Sequence, residues 1–215
     1  AKTMTSVTTL TGNFTASGSV TATPVITTIG GNVSITGTAV ITTGAANVVT
    51  GSLTVGTGAT LTMGAYALTI GTTTSITGTL NETSATGLKT FTGEVTVNAG
   101  GVWNLSATNP ATSFGAGITM SGTTFNNGTG AASFTATQAL AGAENMTFGG
   151  VVTVNPAVTL TNNNTGTVTV SSAGGFVLNG NLTQGVGSTL SLAPANPFPL
   201  GSGTFDASTN ANTVN

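Results

Sequence analysis

A glycine-led strand segment that recurs at a nearly constant spacing constrains the fold of this chain more than any other feature. Such segments open at Gly12, Gly31, Gly51, Gly71 and Gly93, so the successive steps are 19, 20, 20 and 22. Within each segment, apolar residues alternate with Thr or Ser, which is the period-2 pattern of a half-buried β-strand. A fixed period of this length indicates repeats that bury their apolar faces against one another.

The repeats predict a single elongated parallel β-solenoid (β-helix), an all-β fold. "GSLTVGTGATL", "GEVTVNAGGVW", "GVVTVNPAVTL" and "GNLTQGVGSTL" all begin with Gly, any residue, an aliphatic residue and Thr. A step of about 20 residues suits three short strands and three turns, which is one solenoid rung. Gly122, Gly150 and Gly180 open similar segments at wider steps, which predicts longer rungs in the C-terminal half. A β-sandwich, which also uses many short strands, is the alternative.

Helix signals are nearly absent, and the chain divides into three parts. The best helical candidate, "ATQALAGAEN" (136–145), is expected to be a loop or short turn, because Gly and Asn interrupt its pattern.

We assign 1–10 to an N-terminal strand that is a candidate inter-subunit segment, 11–193 to the solenoid body, and 194–215 to a Pro-rich break and a strand-like tail. Pro194, Pro197 and Pro199 mark the break, because proline removes a ladder donor.

Charge is scarce, and this excludes several classes of function. Charged residues make up 3% of the chain, with two Lys, four acids, no His and no Cys, against about 25% in ordinary soluble domains. Nucleic-acid binding lacks the cations that it needs. Thiolate metal sites, disulfides and calcium loops lack their ligands, so we expect no metal and no cofactor. No apolar run is long enough for a transmembrane helix, so we expect no membrane insertion.

No catalytic constellation is present, and we expect no enzymatic activity. The chain has no His or Cys for a nucleophilic triad, and no motif around Lys2 or Lys89 supports the Ser–Lys variant of such a site. Glu82 and Glu94 are the residues for a glycosidase-type pair, but their separation does not match the rung step, which predicts two solvated acids at corners. Lys89 is expected to be solvated. The alternative for Lys89 is an internal Lys–Asn crosslink, with Glu94 as the acid and Asn98 or Asn81 as the partner.

Two polar patterns point to surface features. Thr-x-Thr pairs such as Thr60/Thr62 and Thr167/Thr169 recur at irregular intervals, so we expect no flat hydroxyl array of the kind that orders water like ice. Asn-x-Ser/Thr sequons mark candidate glycosylation sites. The sequons lie at Asn13, Asn32, Asn81, Asn104, Asn127, Asn145, Asn163 and Asn181.

The glycine-led "GSLTVGTGATLTM" and the "FDASTNANTVN" ending resemble repeats of secreted surface proteins of Gram-negative bacteria. These include autotransporter-passenger-like and haemagglutinin-like β-solenoids, and the resemblance covers residues 31–105 and 148–215. It implies a parallel β-solenoid, an extracellular or cell-surface location and a structural or adhesive role. It carries no catalytic residues.

The predicted function is that of a structural subunit of an extracellular filament, on the cell surface or in a biofilm matrix. Solenoid ends present unpaired backbone groups that soluble monomers guard with charge or caps. Such charges are missing here, so the expected partner is a second copy, joined head-to-tail by β-edge stacking or a donated strand. The candidate inter-subunit residues are Thr3, Thr5, Val7, Phe205, Ala207 and Val214.

The alternative function is that of a monomeric adhesin or stalk segment of a longer secreted surface protein. Such a segment would bind glycans at one corner, near Trp103 or Phe125. A single Trp beside Asn104 would stack on a sugar, although a core or corner position for this ring is the stronger expectation.

Overall fold

The structure is a computed structural model that describes residues 7–105, 109–123, 125–172, 175–192, 201–208 and 211–215. These ranges contain twenty-nine short strands and no helix. The strands up to residue 70 are β1 (Thr9–Leu10), β2 (Phe14–Ala16), β3 (Thr21–Ala22), β4 (Thr28–Ile29), β5 (Val33–Ile35), β6 (Val40–Thr42), β7 (Asn47–Val49), β8 (Leu53–Val55), β9 (Thr60–Met63) and β10 (Leu68–Ile70). The next are β11 (Thr74–Ile76), β12 (Thr79–Glu82), β13 (Lys89–Phe91), β14 (Val95–Val97), β15 (Val102–Asn104), β16 (Thr112–Phe114), β17 (Ile118–Met120), β18 (Phe125–Asn126), β19 (Ala132–Phe134) and β20 (Gln138–Gly142). The last are β21 (Met146–Phe148), β22 (Val152–Val154), β23 (Thr159–Asn162), β24 (Thr167–Val170), β25 (Phe176–Leu178), β26 (Asn181–Gln184), β27 (Thr189–Leu192), β28 (Phe205–Asp206) and β29 (Thr213–Val214).

Three consecutive strands make one rung, and every third strand lies in the same sheet. Sheet A runs from β1 to β25 with nine strands. Sheet B runs from β2 through β26 to β28, and sheet C runs from β3 through β27 to β29, with ten strands each. The sheets are parallel, and together they form a β-solenoid of about nine turns with about 21 residues per turn. The predicted fold class is therefore confirmed, and the β-sandwich alternative is wrong because a sandwich needs antiparallel sheets.

The rungs are longer on average in the later part of the chain, although Ala132 still pairs with Val152 at a step of 20. Thr15 pairs with Ser34, a step of 19, whereas Thr153 pairs with Val177, a step of 24. Longer rungs in the C-terminal half were predicted, but from the wide steps between Gly122, Gly150 and Gly180, which do not correspond to turns of the solenoid.

Those three glycines occupy different corners of the solenoid. Gly122 follows a strand of sheet B, Gly150 precedes a strand of sheet A, and Gly180 precedes a strand of sheet B. Because glycine serves at every corner, the distance between two glycines measures a rung only where both stand at the same corner.

The segment expected to be a loop at 136–145 contains a five-residue strand, β20. Leu140 pairs with Ile118 on one side and with Asn162 on the other, so the loop prediction was wrong. The strand ends at Gly142, whose φ of 111° is in the region that favours glycine. A Cβ atom there would also clash with the Met120 carbonyl oxygen.

The core consists of columns of inward side chains that run along the solenoid axis. In sheet A, Phe91, Phe114 and Phe134 stack with ring centroids 6.0 and 5.5 Å apart. From sheet C, the Trp103 ring lies 4.9 Å from Phe125 and 5.2 Å from Phe91. Aromatic rings therefore fill the middle rungs, where each pair adds about 0.5–1.5 kcal/mol beyond its buried area.

Aliphatic side chains fill the rungs on the N-terminal side of these rings, and their packing leaves an apolar pocket. Val49, Leu53, Leu61 and Ile70 are among its lining residues. Ile70 stands directly beside Phe91 in the sheet A column. The aromatic column thus ends where the unfilled space begins.

Candidate functional site

The described ranges contain no group of three or more His, Cys, Asp or Glu side chains that could hold a metal ion. In that same part of the chain, no helix has the length and apolar character needed to cross a membrane. In the part of the chain that the structure describes, the charged side chains are an enclosed pair, Glu82 with Lys89, and three separate acids, Glu94, Glu144 and Asp206.

The enclosed pair joins Glu82 to Lys89 inside one corner of the solenoid. Glu82 ends β12 of sheet C, Lys89 begins β13 of sheet A, and both side chains point inward. Lys89 Nζ lies 3.3 Å from Glu82 Oε2, and neither side chain is accessible to solvent. Nζ also donates to the carbonyl oxygens of Tyr66 at 2.5 Å and Gly64 at 3.1 Å, in the corner of the preceding rung. The prediction that Glu82 and Lys89 are solvated was therefore wrong.

Burial moves the pKa of each partner toward its neutral form. Desolvation raises the pKa of Glu82, against the Lys89 charge and the N–H groups of Ser84 and Thr83. Desolvation also lowers the pKa of Lys89, against the attraction of Glu82. Desolvation offsets much of the attraction in a buried pair, so the pair is weak evidence of added stability. We interpret this pair instead as one that sets the shape of the corner, because Lys89 Nζ joins Glu82 to the carbonyl oxygens of the preceding rung.

The residues proposed for a Lys–Asn crosslink are not gathered around Lys89. Asn98 Nδ2 donates to Ser75 Oγ at 3.0 Å, and Asn81 Oδ1 accepts from Asn104 Nδ2 at 3.4 Å. Glu94 is exposed. The described contacts of Lys89 Nζ are Glu82 and backbone carbonyls.

The two aromatic residues considered for sugar binding lie in the core. Trp103 is 2% exposed and Phe125 is fully buried. Trp103 therefore presents no face to a sugar, and the expectation of a core ring is confirmed.

The sequon asparagines differ in accessibility. Six are exposed, namely Asn13, Asn32, Asn104, Asn145, Asn163 and Asn181, and Asn81 is half-buried. Asn127 is fully buried, and its Nδ2 donates to the Gly130 carbonyl at 2.9 Å, so this amide is out of reach of a sugar in the folded chain. Some exposed asparagines bridge rungs, since Asn13 Oδ1 accepts from the Asn32 N–H at 2.8 Å.

At the N-terminal end, the outermost strands of the three sheets are β1, β2 and β3. Within the described ranges, each of them pairs on one side only. Their inward side chains, Leu10, Phe14 and Ala22, begin the core columns and are only half-buried. Val7 lies just before β1 and is exposed, whereas Thr3 and Thr5 lie outside the described residues.

At the C-terminal end, the outermost strands in the described ranges are β25, β28 and β29. Phe205 pairs with Leu182, and Val214 pairs with Leu190, so the tail adds a rung to its own solenoid. Phe205 and Ala207 are half-buried, and Val214 is 42% exposed at the end of its column. The Pro-rich break at Pro194, Pro197 and Pro199 lies outside the described residues.

The C-terminal end of the described solenoid also carries a carboxylate side chain, that of Asp206. Hydrogen bonds from Ser208 Oγ at 2.6 Å and from the Ser208 N–H at 2.9 Å hold the pKa of Asp206 below its ordinary value. Asp206 is fully exposed on the outward side of β28.

The first and last strands of sheet B carry the same short motif. Phe14-Thr15-Ala16-Ser17 and Phe205-Asp206-Ala207-Ser208 both read Phe-x-Ala-Ser. In each copy Phe and Ala point toward the core. Sequence reasoning missed this match, and a comparison of residues 12–17 with residues 203–208 would have found it.

Comparison of the chain with known proteins identified no related family, protein or structure. A scan against protein-family models, a search of curated proteins and a search of solved structures each returned no match.

Proposed function

We propose that the chain is a structural subunit of an extracellular filament that grows head-to-tail by stacking of terminal rungs. One observation carries the proposal: apolar core columns and parallel strand edges extend to both ends of the described solenoid. Open edges of this kind are templates for pairing with another chain. The extracellular location is supported by the low charge and by the resemblance to bacterial surface solenoids.

The shared Phe-x-Ala-Ser motif supplies a register for the joint. If β2 of one copy pairs in parallel with β28 of the next, Phe14 stacks on Phe205 and Ala16 on Ala207. This arrangement repeats the contacts that the rungs make within the chain, such as Leu182 with Phe205. Because the two surfaces differ, the contact is heterologous and continues into a fibre unless it closes a ring.

The described tail strands already pair with their own chain, which favours edge stacking over donation of these strands. Stacking would cover the half-buried Phe14 and Phe205 and the exposed Val214. Burial of each such side chain stabilises the joint by about 1.5–3 kcal/mol at most.

Electron microscopy of the purified protein, with a matched pair of variants, tests the proposal. We expect uniform filaments with a subunit repeat of about 48 Å, because pairing of β2 with β28 repeats the ten strands of sheet B at a strand spacing of about 4.8 Å. Val214→Lys places a charge on the end surface and should abolish filaments. Val48→Lys, at a valine of similar exposure (48%) on a side face, should leave them intact.

Dispersed rods of the unchanged protein at high concentration would refute the filament, as would normal filaments of Val214→Lys. Circular dichroism of both variants checks that the fold is retained.

The second candidate is a rod segment of a longer surface protein, in which the same open ends meet further rungs of one polypeptide. The open ends suit both functions. The sugar contact proposed for the adhesin is not supported by the buried Trp103 and Phe125. Dispersed rods would favour this candidate.

A further inference from the structure

The outer face of sheet B carries an unbroken column of hydroxyl groups. The outward residues at the centres of its first six strands are in register, one above another, and every one is Thr or Ser. They are Thr15, Ser34, Thr54, Ser75, Thr96 and Thr119.

A second column lies two residues further along each strand. Its members continue the parallel ladder, since each N–H from the second rung onward donates to a carbonyl of the preceding rung at 2.7–2.9 Å. Four of the six are Thr or Ser, and the others are Gly56 and Asn98. The column is Ser17, Thr36, Gly56, Thr77, Asn98 and Ser121.

The sequence predicted no flat hydroxyl array, yet the solenoid brings hydroxyl-bearing residues of successive rungs into register on this face. The expectation was based on Thr-x-Thr pairs, whereas here Ser replaces Thr in many strands, as in Ser34-x-Thr36 and Ser75-x-Thr77. The solenoid register aligns residues that sequence spacing leaves irregular.

The side chains of the two columns are themselves uncharged, and each residue is exposed or half-buried. Within the described ranges, the hydroxyls of Ser34, Thr54 and Thr96 have no partner in the chain. Lower in the array, Asn98 Nδ2 donates to Ser75 Oγ at 3.0 Å and to Thr77 Oγ1 at 3.2 Å. The nearest charge is Glu94 beside the first column, where it accepts from Thr119 Oγ1 at 2.8 Å. The array ends at β20, where Ala141 stands opposite Thr119.

The geometry restricts the ligand. Along a column the hydroxyls repeat at the strand spacing of about 4.7–4.9 Å, and the two columns are about 6.6–6.8 Å apart, which is two residues of strand. Hydroxyls both donate and accept, and waters that bridge them cost little entropy. A matching ligand is a solid, uncharged lattice of groups that donate and accept hydrogen bonds.

We propose that this face of sheet B binds ice. Hexagonal ice is an uncharged oxygen lattice whose repeat along one axis is close to the strand spacing. An ionic mineral would require charges that the two columns lack. A crystalline polysaccharide would require an aromatic platform, and the exposed aromatic residue of the described chain is Tyr66, which lies in a corner outside the array.

Thermal hysteresis and partition into a growing ice front test the assignment, with the full-length chain throughout. Thr54→Tyr places a bulky ring in the centre of the array. Thr69→Tyr makes the same change on the outward side of sheet A in the next rung. We expect hysteresis from the unchanged protein and from Thr69→Tyr, and its loss to the level of buffer from Thr54→Tyr.

Absence of hysteresis in the unchanged protein would overturn the proposal, as would activity in Thr54→Tyr. Loss in Thr69→Tyr alone would move the site to sheet A and overturn the assignment to sheet B. The array lies on a side face, so the comparison can be repeated in Val214→Lys. Ice binding and filament formation can then fail independently.

Discussion

Replacing Lys89 with Met should be among the most destabilising single changes in this chain. The variant removes the ion pair with Glu82 and the bonds to the Tyr66 and Gly64 carbonyls. It also leaves the Glu82 carboxylate enclosed without its cation. Breaking a buried pair in this way costs about 3–5 kcal/mol. For a chain of this size, the thermal midpoint should fall by roughly 6–20 °C.

The double variant Glu82→Met with Lys89→Leu separates the pair from the corner. In the preceding rung, Met63 stands beside Glu82 and Leu68 stands beside Lys89. The double variant therefore places the same two apolar side chains at the registered positions, although the connection between them is longer in the Glu82–Lys89 rung. We expect the free energy of unfolding of the double variant to lie within about 2 kcal/mol of that of the unchanged protein, since apolar replacements of buried pairs are often neutral or stabilising.

Thermal and denaturant unfolding followed by circular dichroism measures both variants in one buffer. If the double variant is as unstable as Lys89→Met, the unpaired charge is not the cause of the loss. If the free energy of unfolding of Lys89→Met lies within about 1 kcal/mol of that of the unchanged protein, water reaches the ion pair and the pair is not buried in the way described above.

Two further predictions concern the same corner and the core. The raised pKa of Glu82 adds stability at pH values below its ordinary pKa of 4.5, and this stability is lost as pH rises through the raised value. The lowered pKa of Lys89 adds stability above 10.5 that is lost as pH falls through the lowered value. The thermal midpoint of the unchanged protein, relative to that of the double variant, should therefore be lowest near neutral pH. A difference between the two midpoints that stays constant with pH would contradict this. Ile70→Phe extends the aromatic column beside Phe91 into the apolar pocket and should raise the midpoint by roughly 1–6 °C. Ile70→Leu is the control, and a lower midpoint for Ile70→Phe would show that the pocket cannot admit the ring.

The fold was predictable because strand alternation and corner glycines are both local signals. The alternation in "GSLTVGTGATL" and "GVVTVNPAVTL" predicts strands, and these segments contain β8 and β22. The turn length in the C-terminal half was not predictable from glycines. All three corners use glycine, and only the pairing between rungs identifies which corner a given glycine occupies.

The environment of the charged pair depends on which residues point inward. Lys89 and Phe91 are two residues apart on β13 and share its inward face. That spacing was a usable signal for a buried lysine. The position of Glu82 was harder to infer, because the corner between the two strands brings it to Lys89 only once the rung has closed.

The hydroxyl array and the matching ends depend on comparisons between distant strands. Thr54 and Ser75 become equivalent only through their register. The likeness of Phe14 and Phe205 matters only because their strands lie at opposite ends of one sheet. Neither relation is visible in a window of neighbouring residues.

The central position of the aromatic rings has a consequence for cooperativity. A solenoid behaves as a row of units coupled only to their neighbours. We expect the strongest coupling in the middle rungs, where Phe91, Phe114 and Phe134 stack, and the weakest at the ends, where the inward side chains are only half-buried. Amide exchange should therefore proceed inward from both ends, as the rungs open one after another. In the filament that we propose, a copy docked on an end would turn a terminal rung into an interior one, so that filament growth and the last step of folding would be a single event.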